Sequence, residues 1–558
     1  MNQRPHPNPG ISTATRRQLL AGAAAFAVTG FAASTATPGF AAPVAAPLGG
    51  YAGSGLGSGA ASGLGSPLSR ARNVIGIDRK VINRWARDTW QSLVAMTDPV
   101  TGLPADYIGE STTAPERSGF TSPTNIGGYM WSTVVARELN IISASECRER
   151  LTRTLTTLAG LKHHEPSGML YNWYDEATGE VITIWPENGN PVAPFMSSVD
   201  NGWFAAALMT VRNAEPKVAG LANTILGRMD FGIFYNKDAR PGVAAGLLRG
   251  GFYDVKPSVE TVQGNYLGKG PDVFYTMNHY DITNSEPRIA TYIGIALGQL
   301  PPEHYFATMR VFPDTCDWSW QEQKPIGEHR TYMGTDVFEG AYTYRGMRIV
   351  PSWGGDMFEA LMPDLFVPES SWAPKAWGIN HPLTVRAQRE FGLDDAKYGY
   401  WGFSPASHPN GGYSEWGVDI LGMSSDGYPS DVERTTVDVG FEGCRPAGNP
   451  APAWGDGVVT PHAAFLAMEY EPREAYDNLV KIENDLGAYG AGGFFDAVAV
   501  KSGTVARRYL SLDQAMVLGA IGNVFGNNVI RRNFIQGEVE AVIRPLIADE
   551  EFGAGLIG

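Results

Sequence analysis

Between Tyr398 and Pro429 the chain crowds Trp401, Phe403, Tyr413 and Trp416 among His408, Glu415 and Asp419. Glycines and prolines keep much of this stretch out of regular helix. Flat aromatic faces beside carboxylates suit a sugar, whose C–H face stacks while its hydroxyls need charged acceptors. The alternative is an aromatic loop that plugs one end of the fold. Three shorter segments have a related make-up and each leads into an apolar periodic run: Ser197–Trp203, Asp281–Pro287 and Ser352–Asp356. Helix capping accounts for a single Asp, Ser or Asn at such a place. It does not account for tryptophan beside the cap, which Trp203 and Trp353 supply in two of the three. Asp200 and Asp419 sit in these motifs rather than on amphipathic faces, and Glu339 lies between aromatics in Phe338-Glu339-Gly340. Each is a candidate for acid–base chemistry on a glycosidic bond, or otherwise for binding hydroxyls or capping a helix.

Helices must position these groups. Apolar residues recur at i, i+3 and i+4 over 81–96, 126–138, 144–161, 199–212 and 218–229. The pattern returns over 289–300, 356–365, 385–391, 461–468, 473–486, 512–523 and 529–534. About a dozen helices of ordinary length, joined by long loops, predict an all-α toroid rather than a small bundle. In a toroid the amino ends of alternate helices share one rim, so the polar segments would converge on one pocket. Residues 331–352 alternate and turn at Arg345-Gly346, which predicts a small β-hairpin insertion.

The chain opens on Arg16-Arg17 followed by an uncharged Ala/Gly/Phe run, the pattern of a twin-arginine leader over residues 1–42. Residues 43–69 are almost entirely Gly, Ala, Ser, Pro and Leu and read as a flexible tether, with one folded domain over 70–558. Export follows as the expectation, to a secreted, periplasmic or envelope-associated location without membrane insertion of the mature form. A net charge of −15 disfavours nucleic acid as a partner. Cys147, Cys316 and Cys444 are odd in number and far apart, so no disulfide framework or Cys-based metal site is expected. No cofactor is called for; calcium at the alternating oxygens of Asp426–Glu433 is a minor alternative to a polar turn.

With these motifs assembled, the chain from Trp85 to Phe534 resembles the bacterial glucoamylase-like (glycoamylase) domain proteins, relatives of bacterial endo-β-1,2-glucanases. The matching stretches include Leu170–Asp175, Ser197–Gly202, Asn284–Arg288, Ser352–Glu359, Trp401–Ser404, Val458–Pro461, Gly493–Asp496 and Tyr509–Met516. The resemblance implies an (α/α)6 toroid with a sugar cleft at one rim and Glu286 as the catalytic acid. The partner carboxylate is then Glu339, Asp200 or Asp419. Tyr171, Trp173, Trp203, Trp353, Trp401 and Trp416 are the expected stacking platforms, with Asp175 and Arg288 as hydroxyl contacts. Two departures stand out. Ser285-Glu286-Pro287 replaces the family's Asn-Glu-Tyr, and His408 follows Ser404–Ser407 where many relatives carry an acid. His408 is accordingly a candidate base or hydrogen-bond partner. The function implied is hydrolysis of a bacterial polysaccharide, a β-1,2-type glucan first. The alternatives are transglycosylation on the same scaffold or non-catalytic glycan binding in envelope assembly.

Overall fold

In the computed structural model, residues 76–240, 242–243, 245–312, 323–423 and 454–557 are described. The expected leader and tether, Cys316, Cys444, Asp426–Glu433 and the Asp419 side chain lie outside them. The chain alternates between an outer and an inner ring of helices. Outer α1 (Arg79–Met96) leads to inner α2 (Pro123–Glu138), and outer α3 (Ala144–Gly160) to inner α4 (Ser198–Ala214). Outer α5 (Ala219–Leu226) precedes inner α6 (Arg288–Ala296), and the short outer α7 (His304–Ala307) precedes inner α8 (Met357–Leu361). Outer α9 (Trp377–Glu390), inner α10 (Pro461–Ala467), outer α11 (Pro472–Leu486) and inner α12 (Ser511–Phe525) complete the alternation. Two more helices follow, α13 (Val529–Phe534) and α14 (Glu538–Ile547).

Burial separates the rings. α2, α4, α6, α8, α10 and α12 are buried on nearly every side, whereas α1, α3 and α11 bury one face only. α2 packs against α4, α4 against α6, α8 against α10 and α10 against α12, and α12 returns to α2. α6 and α8 are joined by Arg288, which donates to the carbonyls of Glu359 and Ala360. Short α7 cannot cover α6 by itself, so α14 folds back across that place. α13 packs against α2, α4 and α12 and lies across one end of the ring.

Local chemistry explains the helix starts. Ser122, Ser197 and Asp356 cap α2, α4 and α8 by accepting from the amides of Asn125, Asp200 and Glu359. Pro123 and Pro461 occupy first-turn positions, where a missing N–H costs nothing. Gly202 is also placed by packing: a Cβ there would stand 2.9 Å from the Ala290 Cβ. Only glycine lets α4 and α6 approach so closely.

The all-α expectation needs correction, because loops above the helices pair into short strands. β1 (Phe195–Ser197), β2 (Gly251–Tyr253), β3 (Val262–Asn265) and β4 (Asp272–Tyr275) form a sheet of order β1-β2-β4-β3. The hairpin foreseen near Arg345 is the middle of a larger meander. β5 (Ile326–Tyr332), β6 (Thr335–Tyr344) and β7 (Met347–Ile349) run antiparallel and are extended by β8 (Gly555–Leu556). Strands of two to four residues are too short to print an alternating pattern on the sequence.

Candidate active site

Contacts between the amino ends of the inner helices run the full circle, which identifies the functional rim. Thr124 of α2 donates to Asp200 of α4 at 2.8 Å. Trp203, in the second turn of α4, donates its indole N–H to Glu286 Oε2 at 2.6 Å, just before α6. Ser285 Oγ and the Glu286 amide both donate to Glu359 Oε2 of α8, at 2.6 and 2.7 Å. Phe403 O receives the Met357 amide at the start of α8, while Gly402 O receives the Thr460 amide at the start of α10. His462 of α10 approaches Asp513 of α12. Ser511 of α12 donates to Asp106 O, and Asp106 Oδ1 accepts from Asn125 of α2. Six helix dipoles thus turn their positive ends toward one rim, where buried carboxylates collect.

The strongest concentration of acids surrounds Glu286, which is 6% exposed. Asp200 accepts from Thr124 on one oxygen and, with the Asn172 amide oriented as its neighbours require, from Asn172 Nδ2 at 2.9 Å on the other. Tyr280 lies within electrostatic range of the group. Burial first, then Glu286, Asp200 and Glu359, push its phenol well above the usual range, so the hydroxyl stays protonated among three carboxylates. Burial also raises Glu359 to about 7, against the opposing pull of the Ser285 hydroxyl, the Glu286 amide and Arg288. Asp356 rises well above the ordinary carboxyl range, through burial, then Glu359, with Glu415 and Glu286 adding to it. A rim with this many enclosed acids holds some of them protonated at neutral pH. That is what proton donation to a leaving oxygen requires.

Several residues named from the sequence prove to have other duties. Arg288 spends all five guanidinium donors internally: two on Glu369, the rest on Ser285 O, Glu359 O and Ala360 O. None remains for a sugar hydroxyl. Asp175 closes a turn, accepting from the amides of Ala177 and Thr178 and from the Thr178 hydroxyl. Glu339 is fully buried 3.9 Å from Arg310, which pairs with Glu550. The expected platforms Tyr171, Trp173, Trp203, Trp353, Trp401 and Trp416 are only 1–6% exposed. They wall the site rather than offer a face: Tyr171 donates to Asp254, and Trp173 packs edge-on against Phe120 and Trp185. His408 is half-buried on a turn, takes the Asn410 amide on Nδ1 and tilts against Trp416 with ring centroids 5.6 Å apart.

Tyr280, Asp356 and Glu359 escaped the search for catalytic groups. The last two carried a usable signal, since Asp356-Met357-Phe358-Glu359 has the spacing of a capping box. Tyr280 carried none, because only folding brings it to the acids.

A ring of paired helices with buried acids gathered at its amino rim defines an α/α toroid. Residues 327–537 match the Glycoamylase family model, described as "Putative glucoamylase", and residues 84–244 match a model described as a protein of unknown function (DUF3131). Over residues 327–537 the chain is thus similar to the glucoamylase-like family that its motifs led us to expect. Among solved structures it is similar to the endo-β-1,2-glucanase of Chitinophaga pinensis in complex with sophorotriose and glucose. That match has 16% identity and a TM-score of 0.56, over 84% of this chain and 97% of the other. The β-1,2-glucanase of Parabacteroides distasonis gives 14% identity and a TM-score of 0.57, over 85% of this chain and 60% of that one. Both likenesses show the fold. In sequence, the cyclic β-(1,2)-glucan synthase NdvB of Rhizobium meliloti (strain 1021) is 24% identical over 569 residues. The match takes in 80% of this chain but 18% of the synthase, so the chain corresponds to a small part of it. No helix among the described residues is long and apolar enough to cross a membrane.

Proposed function

We propose that this protein is a glycoside hydrolase that cleaves a β-linked glucan, of β-1,2 type, after export through the twin-arginine route. Glu286 is the proton donor to the leaving oxygen, and Asp200, at the next inner helix start, is the partner carboxylate. One observation carries the reading: both acids are enclosed at the rim, and Trp203, on the same helix as Asp200, donates its indole N–H to Glu286. The glucanases that share the fold, with their sophorotriose and β-1,2-glucan complexes, support the choice of substrate. Glu359 and Asp356 act as positioning groups. Glu359 fixes the turn that presents Glu286, and Asp356 holds Glu359 through its amide.

The test is reducing-end release from β-1,2-glucan. Glu286→Gln should lower the rate by roughly 10²–10⁴, the usual contribution of a general acid. Equal rates for the variant and the natural protein would remove Glu286 from the role. Binding without cleavage across a wide panel of glycans would turn the reading toward a glycan-binding protein, which the replacement of a family acid by His408 would accommodate. The likeness to a cyclic glucan synthase favours transglycosylation as the second reading. Cyclic or lengthened products over time would select it.

A further inference from the structure

On the arc of the rim formed by α10 and α12, three more side chains converge. His462 lies in the first turn of α10, Asp513 in the first turn of α12, and Asp496 in the loop that joins α11 to α12. All three are buried, and one ligand-capable atom of each lies within 4.8 Å of the others. His462 Nδ1 stands 3.9 Å from Asp513 Oδ2. Asp496 is 1% exposed; its Oδ2 accepts from the Ser407 amide at 2.6 Å, and its Oδ1 has no hydrogen-bond donor. A sealed carboxylate oxygen set beside a second carboxylate needs a proton or a cation between them.

The imidazole decides between the two occupants. Two carboxylates share a proton without help, but one nitrogen and two oxygens from three separate elements form a donor set for zinc-class ions. In a second trio, Asp364, Glu369 and His381, Arg288 and Arg531 already pair with the carboxylates. We propose that His462, Asp496 and Asp513 bind a divalent transition-metal ion of the zinc class, tying α10 and α12 to the Ser407 strand. Three protein ligands leave a coordination position for water. The ion binds deprotonated ligands, so affinity rises with pH.

The full-length protein, loaded with Zn²⁺ and dialysed against metal-free buffer at pH 7.5, should retain about one zinc per chain by atomic emission. Titration in weak buffer should release a proton, and zinc should raise the melting temperature. Asp496→Asn and His462→Gln should each lose retention and the thermal shift, with circular dichroism reporting that they fold. Absence of stoichiometric zinc in the natural protein would overturn the site, and that measurement needs no variant. Full retention by both variants would overturn it too, as would equal competition by Ca²⁺, which prefers oxygen donors.

Discussion

Glu286 owes its position to two neighbours that never touch the reacting bond. Trp203 holds one carboxyl oxygen with its indole N–H, and Glu359 holds the backbone turn through the Glu286 amide. Trp203→Phe keeps the bulk and removes the donor. Loss of one hydrogen bond to the neutral, proton-donating carboxyl costs about 0.5–1.5 kcal/mol, so kcat on β-1,2-glucan should fall roughly 2–10-fold with little change in KM. Glu359 separates geometry from charge. In Glu359→Gln the side-chain carbonyl can still accept from Ser285 and the Glu286 amide, so activity should stay within about threefold. Glu359→Ala frees the turn and should lose at least tenfold. Equal losses in the two would mean that the charge of Glu359, not its anchoring, matters.

At the scale of elements, the helices were nearly all legible and the strands were not. Apolar periodicity predicted α1 to α6 and α10 to α13 within a few residues, because outer helices bury an apolar stripe and inner helices are buried on most sides. α9 read as beginning near 385, since Pro382 interrupts the pattern, yet the helix starts at Trp377. α14 was missed, its ten residues carrying an internal proline at Pro545. The site divides in the same way. Motif positions such as Glu286 and Asp200 announced themselves, whereas the aromatics misled, for a tryptophan that plugs a helix ring and one that greets a sugar look identical in a sequence. Inner-helix spacing yields its own prediction. Gly202→Val drives branched methyls into Ala290 and should lower stability in urea by about 1–3 kcal/mol, with a further loss of activity as Glu286 shifts.

Across the whole molecule, enclosed acids set the response to pH. Glu339, raised to about 8 by burial, and Glu359, raised to about 7, bind protons more tightly folded than unfolded. Their contribution to stability is therefore complete below about pH 4.5 and fades as pH climbs to about 8. The melting temperature should decline over that interval. Glu339→Gln should flatten its upper part, between about pH 7 and 8, and an unchanged slope would show that Glu339 is not buried in its acid form. The ring also imposes an order on assembly. Val539, Ile543 and Ile547 of α14 are buried where α7 is too short to cover α6, a helix some 250 residues earlier by order of magnitude. A nascent chain still held in a ribosome tunnel must leave that flank greasy and open, and becomes watertight only once its tail has emerged. Clipping away 538–557 should therefore yield aggregates rather than a smaller, active enzyme.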